Sequence, residues 1–187
     1  MDEQNVSAQP ALAETNPSSS TDTPSPAPLY FPVSIPKLVV MSLCTLTIYQ
    51  AYWFYMNWRL IKEQNQLDIR PVLRAIFSPL YCYQCFKRID QTAELRNRPE
   101  GVAAGSLAAS YILISALGFL PAPYALLSLG SFLPLVPVQT IVNDINAAAS
   151  PGHDRNARLT GWNILAILIT VPILIILLFG AFNPRPY

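Results

Sequence analysis

The chain is poor in charged residues. Only 12% of its 187 residues are Asp, Glu, Lys or Arg, whereas 52% are hydrophobic. Soluble domains usually carry about a quarter charged residues, so part of this chain needs an apolar solvent. The formal net charge is only +1, and the basic residues do not alternate with stacking aromatic residues. We therefore predict no nucleic-acid partner.

Cysteine and histidine are also scarce. Three cysteines, Cys44, Cys82 and Cys85, are too few for a disulfide framework and indicate reduced thiols. Cys82 and Cys85 form a CxxC pair, a spacing that redox dithiols and half zinc sites use. A structural zinc site needs four ligands, and the chain has only one histidine. A redox dithiol of the thioredoxin type begins a helix in a βαβ unit, and the sequence pattern predicts none. We favour the interpretation that the two cysteines stand in an aromatic interfacial helix by chance, and we predict neither metal, nor cofactor, nor catalytic residues.

Four long segments contain no Asp, Glu, Lys, Arg or His. They cover residues 38–56, 101–120, 124–142 and 162–182. Each is close to the ~20 residues that cross a hydrocarbon core of ~30 Å. The pattern predicts an all-α integral membrane protein with four transmembrane helices, and a buried helix of a soluble core is the alternative for the first segment.

The first of these segments ends in a group of aromatic residues. They are Tyr49, Tyr52, Trp53, Phe54, Tyr55 and Trp58, and Arg59 and Lys62 follow. Aromatic rings prefer the headgroup zone and basic groups need water, so this group predicts a membrane boundary.

Residues 1–36 have a different composition. Prolines at seven positions stand among Ser, Thr, Ala and acidic residues: Pro10, Pro17, Pro24, Pro26, Pro28, Pro32 and Pro36. Proline at this density removes backbone donors and excludes helix, so we predict a disordered tail. Asp2 and Glu3 stand where a secretory signal has basic residues, so the first span is expected to act as an uncleaved anchor.

Residues 71–89 form a fifth apolar stretch, with the pattern of an amphipathic helix. One face carries Ile69, Leu73, Ile76, Phe77, Leu80 and Tyr83, and the other carries Arg70, Arg74, Ser78 and Arg88. This pattern predicts an interfacial helix that bends after Pro79, with a shallow re-entrant course as the alternative. Cations beside it would contact anionic headgroups, and the candidates are Arg59, Lys62, Arg70, Arg74, Lys87 and Arg88.

Lys and Arg are distributed unevenly along the chain. Ten of the twelve lie within residues 57–100 and 151–158. In a four-span arrangement, Lys37 and Arg185 fall on the opposite side together with the acidic tail. The positive-inside rule then predicts that the ten-cation side is cytoplasmic and that both termini lie outside.

Amide side chains recur at helical spacing in the first and third spans. Gln50 and Asn57 are seven residues apart, and Gln139, Asn143 and Asn146 follow at intervals of four and three. Amides at this depth either bond between helices or line a wet cavity. We predict interhelical bonds, with Gln50 meeting Gln139 where the two spans pack together.

The loop over residues 151–156 contains the one histidine. His153 and Asp154 are adjacent, as a general base and its orienting partner would be. No nucleophile other than Ser150 is near, and adjacent residues of a turn seldom face one another. We therefore predict a structural turn.

Three blocks of the sequence carry a resemblance. They are residues 52–58 (YWFYMNW), residues 74–79 with 86–88, and residues 151–158 (PGHDRNAR). Together they resemble a family of uncharacterised multi-pass bacterial membrane proteins, over about residues 36–182. The resemblance implies a bacterial inner-membrane protein and transfers no activity and no site residue.

The expected function follows from these features. An interaction, assembly or structural component of the cytoplasmic membrane needs only packed helices, a basic cytoplasmic face and a membrane-protein partner or a second copy of the chain. A small transporter or channel subunit is the alternative, which the prolines and amides favour and the absence of intramembrane charge opposes. We predict no enzymatic activity.

Overall fold

The structure is a computed structural model that describes residues 27–96 and 103–183. Within these ranges it contains seven α-helices and no strand, which confirms the predicted all-α class. The helices are α1 (Ile35–Cys44), α2 (Ile48–Asn65), α3 (Pro71–Ile76), α4 (Ser78–Leu95), α5 (Ala104–Ala116), α6 (Leu135–Ala149) and α7 (Gly161–Phe182). Two 3-10 helices, Leu117–Phe119 and Tyr124–Phe132, join α5 to α6.

Within residues 27–96 and 103–183, two helices are long and apolar enough to cross a membrane. They are Tyr124–Ala149, in which the 3-10 helix continues into α6, and Gly161–Phe182, which is α7. The predicted spans over 124–142 and 162–182 fall within them. The predicted span over 101–120 coincides with the shorter apolar helix Ala104–Phe119, and residues 101 and 102 lie outside the described ranges.

The predicted first span is divided into two helices, so the prediction of one continuous helix over 38–56 is wrong. Between α1 and α2, Leu46 and Thr47 adopt left-handed backbone conformations with φ values of 50° and 70°. Left-handed residues cannot continue a right-handed helix. Hydropathy predicts apolar content and not helical continuity, which is why the sequence pattern missed this break.

The turn between α1 and α2 is held by hydroxyl groups. Thr45 Oγ1 donates to Met41 O at 2.6 Å and accepts the N–H of Tyr49 at 3.0 Å. Thr170 of α7 donates its hydroxyl to Cys44 O, at the end of α1. Backbone groups at a helix end that lack partners within the helix are therefore satisfied by side chains of the protein.

The two outer ends of the α1–α2 hairpin lie together. Gln64, near the end of α2, donates its amide to Leu29 O, just before α1. Lys37 Nζ donates to Asn156 Oδ1 and to Arg158 O, both at 2.7 Å. We call this end of the bundle, which carries residues 150–160, the loop face.

These contacts correct the predicted orientation. The prediction placed Lys37 and the loop with Arg158 on opposite sides of a membrane, whereas the two are in direct contact. It assumed that residues 38–56 cross from side to side, and the chain turns back instead. The opposite end of the bundle, the turn face, carries residues 117–123, of which Gly118 and Ala122 line a cavity with Ala181 near the end of α7.

Part of the predicted disordered tail is folded against the helices. Residues 1–26 lie outside the described ranges, but residues 27–34 are extended and packed against the helices. Tyr30, Phe31 and Val33 are buried. The prolines do exclude helix here, yet they permit an extended segment whose apolar side chains enter the core.

The aromatic group at the predicted membrane boundary instead forms much of the core. Trp53, Phe54 and Trp58 are fully buried. Phe54 packs against Phe86 of α4 and Tyr111 of α5, with ring centroids 6.0 and 5.3 Å apart. The boundary interpretation is therefore wrong for these three rings, because α2 lies between other helices and does not stand alone in a bilayer.

The predicted helix over 71–89 consists of α3 and α4. The helix is interrupted at Phe77, shortly before the bend predicted after Pro79, and α4 continues to Leu95. The predicted apolar face is exposed at this corner, with Leu80 at 74% relative exposure. Ile76, Ser78 and Pro79 line a cavity with Thr47 and Ser128, so this corner lies away from the loop face.

Candidate interaction site at the amide groove

The predicted amides line a groove that is filled by the chain itself. We call residues 27–34 the strap, and we call the side chains of Asn57, Gln139, Asn143 and Asn146 the amide groove. The strap runs between α2 and α6, which supply these four side chains. The site is built from backbone groups of the strap and amides of the two helices.

Asn146 and Asn57 bind the centre of the strap. Asn146 Oδ1 accepts the N–H of Tyr30 at 3.0 Å, and its Nδ2 donates to Tyr30 O at 2.8 Å. Asn57 Oδ1 accepts the N–H of Phe31 at 3.1 Å. Both amides are fully buried. Paired donor and acceptor bonds of this kind recognise an extended backbone whatever its side chains are.

Gln139 and Asn143 continue this pattern along α6. Gln139 Nε2 donates to Phe31 O at 3.2 Å and to Asn143 Oδ1 at 2.8 Å, while its Oε1 accepts from Trp53 Nε1 at 2.5 Å. Asn143 Nδ2 donates to Val33 O at 3.0 Å. The two amides thus support each other while binding the strap, and a shared network of this kind orients each member.

The ends of the strap are held by the loop face. Ser150 Oγ donates to Ala27 O at 3.0 Å, and Asn156 Nδ2 donates to Pro32 O at 3.2 Å. Pro32 carries no N–H, so its backbone needs only a donor from the groove. The composition of the strap and the chemistry of its binding site therefore match.

Tyr30 anchors the strap to a third helix. Its hydroxyl donates to Arg88 O at 3.2 Å and lies 2.7 Å from Thr92 Oγ1 on α4. Burial raises the pKa of the Tyr30 hydroxyl, and the bond to Thr92 offsets part of the increase. The hydroxyl therefore stays protonated and continues to donate under ordinary conditions.

The predicted pairing of Gln50 with Gln139 is absent from the described residues. Gln50 Oε1 accepts from Ser131 Oγ at 3.1 Å, while Gln139 binds the strap and Trp53. The predicted pair does not form because Gln139 of α6 bonds to Trp53 of α2 and to the strap instead of to Gln50.

The six basic candidates for lipid contact lie in different surroundings. Arg59 forms an ion pair with Glu63 at 3.6 Å. Arg74 stacks over the rings of Trp58 and Tyr81, with its guanidinium carbon 4.3 and 5.1 Å from the centroids. Arg88 is half-buried under Tyr30, whereas the remaining three are exposed or half-exposed: Lys62, Arg70 and Lys87.

The two cysteines of the CxxC pair are buried in the core. Cys82 Sγ lies 3.4 Å from Pro79 O and 3.9 Å from Ala108 O, so it contacts α5. Burial raises the pKa of the Cys82 thiol to about 11 and also raises that of Cys85. Buried thiols with raised pKa values are poor nucleophiles and poor metal ligands. Among the described residues no cluster of three or more His, Cys, Asp or Glu has metal-binding geometry.

The loop that contains His153 has the geometry of a turn. Gly152 has a φ of 94°, His153 Nδ1 lies 2.8 Å from Ser150 O, and Asp154 Oδ1 accepts the N–H of Asn156 at 2.8 Å. His153 and Asp154 thus bind different backbone groups rather than each other. These bonds present Asn156 to Lys37 and to the strap.

No protein-family model, no curated protein and no solved structure matches the chain. The resemblance carried by the sequence blocks therefore remains a prediction.

Sequence reasoning missed the strap, Lys37 and Asn156. A signal for the strap was present, because Leu29, Tyr30, Phe31 and Val33 stand together at the end of a region otherwise poor in apolar residues. Four apolar residues within five positions are enough to bury in a core. The density of prolines concealed this signal.

Proposed function

We propose that the chain is an integral protein of the bacterial cytoplasmic membrane that acts in interaction or assembly and not in catalysis. The surface of α7 is the observation that carries the proposal. Its 22 residues hold no charge, and Thr170 is its single buried residue. The helix is about 33 Å long, which matches a hydrocarbon core of ~30 Å. Such an apolar surface is stable only against lipid or another apolar partner.

The proposal includes three crossings, not four. Ala104–Phe119, Tyr124–Ala149 and Gly161–Phe182 each run between the turn face and the loop face. The α1–α2 hairpin enters from the loop face and returns to it. An irregular turn at membrane depth is tolerated when protein groups satisfy its backbone, as the hydroxyls of Thr45 and Thr170 do here.

The proposed orientation follows from the cations. Lys37 joins the basic residues of 57–96 and 151–158 at the loop face, so the positive-inside rule makes that face cytoplasmic. With three crossings the N-terminus is cytoplasmic and the C-terminus is outside. The basic loop face then meets anionic headgroups on the cytoplasmic side. The exposed apolar corner of α3 and α4 lies beside Thr47, Ser115 and Ser128, away from the loop face, and contacts the lipid interior.

Membrane integration and orientation can be tested together. The chain should stay with membranes after alkaline washing. In a Cys44→Ala background, an impermeant maleimide added to spheroplasts should label Pro121→Cys and Asn183→Cys, whereas Ala157→Cys and Ser18→Cys should be labelled only after permeabilisation.

Two outcomes would count against the proposal. Release by the alkaline wash would contradict integration into the membrane. Labelling of Ser18→Cys from outside would restore the orientation with both termini outside and would exclude the hairpin. Ala157→Cys is the matched control, because both orientations place it inside.

A small transporter or channel subunit is the second candidate, and one cavity favours it. The cavity has a volume of about 350 Å³ and is lined by hydroxyl and amide groups. Among them is Gln50, whose Nε2 has no hydrogen-bond partner among the described residues. The polar lining is contributed by Thr47, Gln50, Ser78, Tyr111, Ser115, Ser128 and Ser131. Copurification of a stable partner from native membranes would favour assembly, and an isolated oligomer that conducts would favour transport.

A further inference from the structure

A second cavity, of about 470 Å³, lies between α1, α2 and α7. Its polar end is at the loop face, where Lys37, Asn156 and Asn163 line it, and its deep end reaches Thr170. Thr170 is nine residues along α7 from Gly161, a depth of about 14 Å. The cavity therefore runs from the proposed membrane boundary toward the middle of the bilayer.

The rim of this cavity is apolar and exposed. Ile48, Tyr52 and Trp162 contribute to it, and Trp162 is 81% exposed. The cavity consequently opens sideways, onto the same surface where the apolar side chains of α7 are exposed. A molecule that reaches it from the bilayer would not have to pass through water.

Lys37 is a buried cation at the polar end. It is 5% exposed, and its ammonium donates to two neutral groups, Asn156 Oδ1 and Arg158 O. When the side-chain amide of Asn163 is rotated, its oxygen lies 3.0 Å from Lys37 Nζ and is a third neutral acceptor. Among residues 27–96 and 103–183, no carboxylate lies within ion-pair distance of it.

A buried charge without a counter-charge is costly. Burial lowers the pKa of Lys37, and the more distant Asp154 opposes this shift. An anion in the cavity would supply the missing charge.

Tyr49 gives an independent indication in the wall of the cavity. The residue is 5% exposed, and its hydroxyl has no hydrogen-bond partner within the part of the chain that the structure describes. A buried donor without an acceptor costs free energy, and native proteins usually provide one. The hydroxyl is itself closed off from solvent, so a ligand oxygen becomes its acceptor when the Tyr49 ring turns toward the cavity.

We propose that this cavity binds a membrane lipid whose acyl chain lies along α7 and whose anionic headgroup, a carboxylate or a phosphate, pairs with Lys37. The inference rests on the proposed membrane integration. Headgroup and chain then match the two ends of the cavity, because the cation lies at the membrane boundary and the apolar lining extends inward. The bound lipid would also cover part of the junction between the hairpin and α7.

The binding test uses the full chain in a neutral detergent and follows the fluorescence of Trp162. The probes are dibromostearate, a phosphatidate with dibromostearoyl chains, and the methyl ester of dibromostearate as the neutral control. The signal of a Trp162→Phe variant is subtracted to remove the two buried tryptophans. We expect saturable quenching by an anionic probe at a concentration about tenfold lower than the ester requires, as one charge-assisted contact would give. The stronger anionic probe identifies the headgroup, and equal midpoints for all three probes would refute the site.

Two pairs of variants assign the contacts. Lys37→Met should raise the midpoint for the anionic probe about tenfold, whereas Lys87→Met, an exposed cation on α4, should leave it unchanged. Tyr49→Phe loses a hydroxyl that has no partner, so it should fold, and it should raise the midpoint about threefold, whereas Tyr55→Phe should not.

Tyr49→Phe keeps the test decisive if Lys37→Met does not fold. Unchanged binding in the folded variants would refute the proposal. A chain that resists alkaline washing but shows no selective quenching would lose only the lipid site, and its membrane integration would stand.

Discussion

At the scale of single residues, the Asn146 side chain supplies the hydrogen bonds that a neighbouring β-strand would give to the strap. Its side chain binds the N–H and the C=O of Tyr30, and both groups are buried. A backbone pair in the core without such partners would be destabilising, because each unpaired group loses its hydrogen bonds to water. The strap can therefore be extended and buried at the same time.

We expect Asn146→Leu to lower the free energy of unfolding in detergent by about 2–4 kcal/mol, since two backbone groups lose their partners. The matched control is Gln91→Leu, an exposed amide on α4, which should change it by less than ~0.5 kcal/mol. Equal stability of the two variants would show that the strap does not depend on the amide groove.

The buried cysteines predict how stability varies with pH. Cys82 has a pKa raised by burial from an ordinary value of 9.0 to about 11, and the pKa of Cys85 is raised as well. In the unfolded chain both thiols ionise first, so the unfolded state binds fewer protons above pH 9. Stability is therefore complete below about pH 9 and decreases as the pH rises toward 11, by at most about 1.4 kcal/mol per pH unit for each thiol.

This pH dependence can be measured as unfolding free energy at a series of pH values. In a Cys82→Ala, Cys85→Ala double variant, the free energy of unfolding should decrease less steeply as the pH rises. In Cys44→Ala it should decrease as in the unchanged protein. A decrease of the same steepness in all three proteins would assign it to other groups.

At the scale of elements, the α1–α2 hairpin depends on its connection to α7. Thr170 provides the hydroxyl that binds Cys44 O. Thr170→Val keeps the shape of the side chain and removes the hydroxyl, so we expect the free energy of unfolding to fall by about 1–3 kcal/mol. Thr140→Val is the control, because Thr140 is exposed and bonds only to Val136 O of its own helix.

Limited proteolysis would locate the effect of Thr170→Val. Faster cleavage is expected near Leu46 and Thr47, where the backbone is left-handed. Resistance equal to that of the unchanged protein would mean that the turn is held by its own Thr45 bonds.

The helical elements could be predicted from sequence to different degrees. α7 and the helix over Tyr124–Ala149 follow directly from long apolar runs without charge. The hairpin could not be predicted in this way, because α1 and α2 together have the length and composition of one span. The break at Leu46 and Thr47 uses neither glycine nor proline, so it leaves no signal in the local sequence.

At the scale of the whole molecule, the grouping of cations was largely predictable and the path of the chain was not. The basic residues of 57–100 and 151–158 were expected on one side, and Lys37 became an exception only through the assumed crossing of 38–56. The residues of the candidate site were likewise predictable, whereas the path of the chain through the site was not. Periodicity identified the amides of α2 and α6, but no periodicity indicates that a distant, proline-rich segment lies between them.

The strap also sets an order of events during synthesis. Tyr30 leaves the ribosome 116 positions before Asn146, its partner in the groove. At ~5–20 residues per second, this separation amounts to roughly 6–23 s of translation. Once α2 has been synthesised, Asn57 and Gln64 can bind the strap, but the amides of α6 are still missing. The contacts of the strap with α6 therefore form late in synthesis, and a chain interrupted before α6 would hold the strap only through α2 and α4.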